Sequence, residues 1–270
     1  MQPLFYQNAL IVTGHSILYN GIGILHQEVT ELRTIAFYLY FFGYLIYSIP
    51  FLKKIRNQED SSLSIEEQDK KKHFLAKHWS KTLVRISGTK VTVIGEENMP
   101  TGAVLLVSNH EGNFDIPVLL GFLEKPFGFI SKIEVLKIPI VHKWMRIMNC
   151  VFMDRKDRRQ SIQAIRQGIA ILKEGHSLSV FPEGTRSKGG PVGEFKAGSL
   201  RLASDAQVPI VPIAIKGTSG AMEKNKGWIK PAEVTISILP PLTYEQYKEM
   251  AMVELAKKIE AEIAAEKAGL

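Results

Sequence analysis

A histidine and an aspartate lie five positions apart in the run SNHEGNFD, after the apolar stretch 103–107. On one helix, positions five apart differ by about 140°, which would point His110 and Asp115 away from each other. Gly112 and Asn113 favour a turn that brings them together. A carboxylate that holds one imidazole nitrogen fixes the tautomer and leaves the other nitrogen to accept a proton. An isolated pair at this spacing more often includes a histidine that caps or packs, so other motifs must decide.

A basic loop containing glycine is a second candidate site. The loop FPEGTRS occupies residues 181–187, after the apolar stretch 177–181. Backbone N–H groups in such a loop can approach an anion, and the planar guanidinium of Arg186 matches the shape of a phosphate. The sequence therefore favours an anion site anchored by Arg186. A solvated surface turn is the alternative.

Cations follow two further apolar stretches. Lys132 comes directly after residues 129–131, and a cluster after Met153 contains Arg155 and Arg159. Lys132 could contact the same phosphate as Arg186. The arginines could equally begin an exposed helix.

Strands that alternate with helices must position these residues. Apolar or alternating stretches predict strands, and patterns with helical period predict helices. Strands are predicted at 90–95, 103–107, 127–131, 150–153, 177–181, 210–215 and 234–239, and helices at 70–86, 116–123, 159–173, 200–206 and 244–265. This order predicts an α/β fold with a single mixed sheet flanked by helices.

An apolar segment precedes the α/β region. Residues 35–52 contain no ionisable side chain other than tyrosine, and Lys53, Lys54 and Arg56 follow at once. Eighteen helical residues rise roughly 27 Å, close to the hydrocarbon thickness of about 30 Å. The segment predicts a membrane-inserted helix, either spanning or re-entrant, with the basic cluster on the cytoplasmic side. A buried core helix is the alternative.

These patterns divide the chain into three parts. Residues 1–33 form an N-terminal extension of uncertain role, without the features of a cleaved secretory signal. Residues 34–56 form the membrane segment, with Pro50 marking a break near its end. Residues 57–270 form the cytoplasmic domain, and its first residues, 57–69, are predicted to be a linker. We therefore expect a protein of the cell membrane with its catalytic domain on the cytoplasmic side.

Charge and composition narrow the classes of partner and cofactor. The net charge of +7, from 34 basic and 27 acidic residues, favours anionic partners without choosing among them. No nucleic-acid motif appears, so nucleic acid is not an expected partner. The seven histidines show no metal-ligand spacing such as His-Glu-x-x-His, so no metal is expected. The single Cys150 rules out an internal disulfide.

Taken together and in order, these blocks resemble the 1-acylglycerol-3-phosphate acyltransferase family, the bacterial lysophosphatidate acyltransferases. The resemblance covers roughly residues 54–242. It rests on Asn109-His110 with Asp115, Ser131-Lys132 with Pro139, Phe152-Met153-Asp154-Arg155, the loop 181–187 and Val208-Pro209-Ile210-Val211-Pro212.

The resemblance implies transfer of a fatty acyl group to the sn-2 hydroxyl of lysophosphatidate. By this likeness His110 is the general base and Asp115 orients it, whereas Lys132 and Arg186 bind the acceptor phosphate. Four further residues shape the pocket: Glu183, Gly184, Thr185 and Arg155. The strand at 209–215 would border the acyl site.

The resemblance also implies the partners. The acyl donor is acyl-CoA or acyl carrier protein, a co-substrate rather than a cofactor, and the membrane bilayer holds the lysophosphatidate. The same motifs would serve an acyltransferase for glycerol 3-phosphate or another lysophospholipid. A non-catalytic membrane protein that binds anionic lipid is an alternative of a different class.

Overall fold

Seven strands form one sheet in the part of the chain that the structure, a computed structural model, describes: residues 27–56 and 62–270. The strands are β1 (Lys90–Ile94), β2 (Leu105–Ser108), β3 (Gly128–Lys132), β4 (Val151–Met153), β5 (Leu178–Val180), β6 (Ile210–Lys216) and β7 (Glu233–Ile238). Their spatial order is β1-β7-β6-β2-β5-β3-β4. Neighbouring strands are parallel except for the antiparallel pair β6 and β7. The predicted single mixed sheet is confirmed, and each strand begins and ends within two residues of its expected position.

Helices cover both faces of this sheet. They are α1 (Gln27–Tyr47), α2 (Ile49–Arg56), α3 (Ile65–Ser87), α4 (Asp115–Phe122), α5 (Val141–Ile147), α6 (Arg158–Lys173), α7 (Arg201–Ala206), α8 (Tyr244–Tyr247) and α9 (Met252–Gly269). Leu105 and Val107 of β2 belong to the core packed by α6, α7 and α9. The intervening Leu106 belongs to the core packed by α3 and α4. Successive strand residues point to opposite faces, so both faces of this central strand are apolar.

Helix α3 begins earlier than the sequence patterns predict. Ser64 accepts a hydrogen bond from the Glu67 amide, and the Glu67 side chain accepts one from the Ser64 amide. This capping box starts the helix at Ile65, so the predicted linker at 57–69 ends before that residue. Residues 57–61 lie outside the described part of the chain. On this helix the polar His73 is buried, whereas the apolar Phe74 is 67% exposed.

The predicted membrane segment is bent. Within the described residues, no single helix is both long and apolar enough to cross a bilayer. Helices α1 and α2 together meet the length and composition that crossing requires, but they meet at an angle of 47°. The break falls at Ser48, two positions before the expected Pro50. Residues 27–33 belong to α1, so the predicted boundary between the N-terminal extension and this segment falls inside a helix.

Helix α1 has one side against the protein and one side exposed. The ring of Phe37 stacks on Phe114 at a centroid distance of 5.5 Å, and Phe41 contacts Trp79 at 4.9 Å. On the outer side, Leu39 is 70% exposed, and Leu32, Phe42 and Ile46 are also exposed. Helix α1 therefore packs one side against the rest of the protein and exposes apolar side chains on the other.

The C-terminal region forms two helices rather than the predicted one. The chain leaves helical geometry between α8 and α9, and Ala251 is extended with φ −63° and ψ 138°. Near the end of α9, Lys267 Nζ lies 2.9 Å from Glu111 Oε1 and donates to Gly190 O at 2.9 Å. Glu111 and Lys267 are both nearly buried. The last helix is thereby tied to the turn that follows β2.

Replacement of Lys267 by methionine is expected to lower the free energy of unfolding by about 3 kcal/mol, because it leaves the buried Glu111 carboxylate without its cation. Lys258→Met is the matched control on the same helix. Its exposed pair with Glu262 should be worth less than about 1 kcal/mol. Urea denaturation measures both, and equal losses would contradict the expectation.

The pair of Glu111 and Lys267 also makes the stability of the fold depend on pH. Burial works to raise the pKa of Glu111, but Lys267 and the amides of Ser219 and Gly217 outweigh it and hold the pKa below its ordinary value. The folded pKa therefore lies below the unfolded one, so this contribution is present above the unfolded pKa and is lost as pH falls through the folded pKa. The stability difference between Lys267→Met and the unmodified protein should shrink in acid. A stability difference between the two proteins that stays constant down to the folded pKa of Glu111 would contradict this prediction.

Candidate active site

The carboxyl ends of five parallel strands meet at one edge of the sheet, which is where α/β folds place their ligands. Each strand brings a polar residue to this edge. They are His110 after β2, Lys132 at the end of β3, Arg155 after β4, Glu183 after β5 and Thr218 after β6. The parallel topology therefore gathers residues from positions 110 to 218 at one place.

His110 and Asp115 are brought together by the turn between β2 and α4, as their spacing predicts. His110 Nδ1 lies 2.6 Å from Asp115 Oδ2, which also accepts the Gly112 amide at 3.0 Å. Thr218 donates its hydroxyl proton to Asp115 Oδ1. The aspartate is fully buried, and the histidine side chain is 18% exposed. The carboxylate holds Nδ1, so Nε2 is the nitrogen left to exchange a proton at the cavity.

The ring of His110 is held by stacking as well as by its contact with Asp115. It stacks on Phe181 with ring centroids 4.1 Å apart and planes 15° apart. The preceding Asn109 exchanges two hydrogen bonds with the backbone of Ile215, at 2.9 and 2.8 Å. The Ser187 amide donates to His110 O at 2.8 Å, which joins the basic loop to this turn. These contacts restrict the ring to one orientation.

Glu183 lies behind the histidine rather than on the cavity wall. Its Oε1 accepts the His110 amide at 2.7 Å, and its Oε2 accepts the Gly193 amide at 3.1 Å. Burial raises the pKa of Glu183, although these amides and the nearby His110 act in the opposite direction. Glu183 was predicted to shape the pocket, but it does not line the cavity and instead connects the loop 181–187 to the His110 backbone.

The predicted cationic residues converge on one cavity. Lys132, Arg155 and Arg186 line it together with His110, and so do Gly184 and Thr185. Arg155 donates to Gly184 O, and Arg186 Nη1 donates to Asn113 Oδ1 at 2.7 Å. Thr185 and Arg186 are exposed in a turn, as in the surface-turn alternative, and they also line the cavity.

The cavity has a volume of about 630 Å³ and two chemically different parts. The cations and His110 occupy one part. Apolar side chains from α1, α3, α4 and α5 line the other, among them Phe37, Phe41, Leu75, Leu120 and Met145. No residue of β6 lines the cavity, so the prediction that the strand at 209–215 borders the acyl site is wrong. That strand is buried within the sheet, between β2 and β7.

Three polar residues of the site were missed by sequence reasoning. Glu111 accepts the amides of the loop after β6, Thr218 donates to Asp115, and Glu223 contacts Arg186. Thr218 and Glu223 lie more than 100 positions from the turn they contact, so no local spacing indicates them. Glu111 stands next to His110, but its partners are equally distant.

Comparisons with known proteins agree with this geometry. An acyltransferase family model matches residues 90–216. A probable 1-acyl-sn-glycerol-3-phosphate acyltransferase from Mycoplasma pneumoniae is 44% identical over 146 residues, covering 52% of this chain and 54% of that protein. The chloroplastic 1-acyl-sn-glycerol-3-phosphate acyltransferase LPAT1 from Arabidopsis thaliana is 36% identical over 173 residues, covering 63% and 48%. The chain spans about half the length of these curated relatives.

A solved structure is similar over a much larger share. The crystal structure of the 1-acyl-sn-glycerophosphate acyltransferase PlsC from Thermotoga maritima matches with a TM-score of 0.77 and 30% sequence identity. The match covers 89% of this chain and 95% of that chain. The similarity therefore extends well beyond residues 90–216.

Proposed function

We propose a function for this chain from one premise: it belongs to the 1-acylglycerol-3-phosphate acyltransferase family. The function is transfer of a fatty acyl group from a thioester to the sn-2 hydroxyl of lysophosphatidate, giving phosphatidate for phospholipid synthesis. One observation carries the proposal. The His110–Asp115 pair lies on a cavity that has cations at one part and apolar side chains along the other.

In the proposed reaction His110 is the general base. Its Nε2 takes the proton from the acceptor hydroxyl as that oxygen attacks the carbonyl carbon of the thioester. The ester C–O bond forms and the C–S bond breaks, and the leaving thiolate takes the proton back from His110. Asp115 holds Nδ1 and stabilises the imidazolium in between. Burial raises the pKa of the Cys150 thiol to about 12, so this residue is not a nucleophile in the scheme.

The cationic part of the cavity suits the acceptor phosphate. Arg186 offers a planar fork and Lys132 a point charge, and charge-assisted contacts to phosphate are stronger than neutral ones. The apolar part suits the acyl chains, because burial of each methylene is worth about 0.8 kcal/mol. The donor is acyl-CoA or acyl carrier protein, used as a co-substrate.

The outer side of α1 supports a location at the cell membrane. Its exposed leucines and phenylalanine would transfer favourably into lipid, and Lys53 and Lys54 follow on α2. We infer that α1 and α2 insert into the bilayer with the α/β domain on the cytoplasmic side, where basic flanks are favoured. In this arrangement a lysophosphatidate molecule would reach the cavity from the membrane.

Two alternatives remain testable with the same assay. Glycerol 3-phosphate or another lysophospholipid could be the acceptor, since the motifs would serve any of them. A non-catalytic protein that binds anionic lipid would release no thiol. The purified protein should release thiol with lysophosphatidate and one of the two donors, acyl-CoA or acyl carrier protein. A panel of lysolipid acceptors identifies the preferred one.

His110→Ala is expected to lower kcat for acyl transfer at least about 100-fold, because general-base catalysis contributes on the order of 10²- to 10⁴-fold. The variant should keep its fold and its attachment to membranes. His142→Ala is the control, since His142 contacts its own helix region through Ile138 O and does not line the cavity. Full activity of His110→Ala would rule out the proposed base.

Arg186→Ala is expected to raise the KM for lysophosphatidate roughly 10- to 100-fold with a smaller change in kcat, since a hydrogen bond to a charged group is worth about 1.5–3 kcal/mol. Arg201→Ala removes an exposed arginine on α7 and should change neither constant. An unchanged KM for Arg186→Ala in steady-state kinetics would contradict the proposal that Arg186 binds the acceptor phosphate.

Leu39→Lys should weaken binding to phospholipid vesicles by roughly 10-fold or more, since it replaces a side chain that is 70% exposed on the proposed membrane face with a charge. The control is Val253→Lys, which alters a residue that is 61% exposed on α9. Vesicle co-sedimentation measures both. Equal binding by the two variants would contradict the proposed orientation.

A further inference from the structure

Glu223 lies in a short 3-10 turn, Glu223–Asn225, beside the cationic part of the cavity. Its side chain is only 6% exposed, although the residue is charged. Oε1 accepts the Asn113 amide at 2.7 Å and lies 3.4 Å from Arg186 Nη1. The Asn113 side chain accepts from the same Nη1 at 2.7 Å. Glu223 and Asn113 therefore hold one nitrogen of the guanidinium from two sides.

We propose that Glu223 is a positioning residue that orients Arg186 toward the phosphate of the acceptor. The inference rests on the proposed function and deepens it, because it assigns the residue that prepares the acceptor site. Glu223 does not line the cavity, so it acts through Arg186 and Asn113 rather than by touching the substrate.

The contacts explain why such a residue is needed. The Arg186 side chain is 40% exposed and long, so without a partner it would populate many rotamers. The contacts of this guanidinium with Asn113 and Glu223 both involve Nη1, and Nε and Nη2 take no part in them. A guanidinium held in this way loses less freedom when it binds a phosphate, and affinity rises because the site is preorganised.

Gly112 gives an independent sign of this arrangement. A Cβ at position 112 would lie 2.3 Å from Glu223 Oε2, whereas the backbone of Gly112 is not in the left-handed region. A side chain at position 112 would therefore have to displace this carboxylate, which is the end of a flexible side chain. Since the Gly112 amide also donates to Asp115, Glu223 packs directly against the turn that carries His110.

Glu223→Ala should raise the KM for lysophosphatidate about 10-fold, with kcat and the donor KM changed less than about threefold. Glu223→Gln keeps an oxygen that can accept from both partners, so it should restore most of the affinity. Glu245→Ala is the control, since that residue is exposed and forms an ion pair with Lys248. A fall in kcat at unchanged acceptor KM, or a Gln variant as weak as the Ala variant, would overturn the inference.

A double-mutant cycle tests the contact itself. Gly112→Ala should raise the acceptor KM by displacing the Glu223 carboxylate, and it should have little further effect on KM in the Glu223→Ala background. Such non-additivity is expected only for residues that act on each other. Independent, multiplicative effects on KM would refute the proposed role.

The outcomes also separate this inference from the proposed function. If the unmodified protein acylates lysophosphatidate and Glu223→Ala leaves its KM unchanged, only the role of Glu223 is overturned. If the unmodified protein does not use lysophosphatidate, the proposed function fails and the role assigned to Glu223 fails with it. Thermal unfolding of each variant establishes that the kinetic constants refer to folded protein.

Discussion

The buried carboxylate of Asp115 is the constraint on which the site depends. A charge that is fully removed from water is costly unless hydrogen bonds compensate it. Here the donors are the His110 ring, the Gly112 amide and the Thr218 hydroxyl. They come from the strand end, the turn and the loop after β6, so the carboxylate is satisfied only when all three are in place. The imidazole is oriented by the same requirement.

The sheet topology brings those three elements together. In a run of parallel strands every carboxyl end lies at the same edge of the sheet, and each connection crosses a face of the sheet to begin the next strand at the opposite edge. The site could therefore be assembled from short loops, each carrying one or two polar residues. The buried pair of Glu111 and Lys267 adds the last helix to this edge, so that the C-terminal end of the chain also restrains the turn that holds His110.

Much of this arrangement can be predicted from the sequence. The strands were predictable because buried parallel strands are short apolar stretches, and His110, Asp115, Lys132 and Arg186 follow directly where such stretches or their turns end. Local patterns could not indicate Thr218 or Glu223, since their partners are distant along the chain. The start of α3 was predicted too late because the capping box of Ser64 was not considered. The helix break was expected at Pro50 but falls at Ser48, because proline is tolerated in the first turn of a helix.

The structure differs most from the sequence-based prediction in how the chain divides into parts. Composition separates an apolar segment at 34–56 from a domain at 57–270. Phe37 and Phe41 of that segment nevertheless line the cavity that His110 faces, and Phe37 stacks on Phe114 in the turn that carries His110. Composition reports only how apolar the segment is, and it cannot distinguish a helix side that faces lipid from one that packs on protein. Because α1 supplies part of the cavity wall, the apolar segment and the α/β domain form the candidate site jointly.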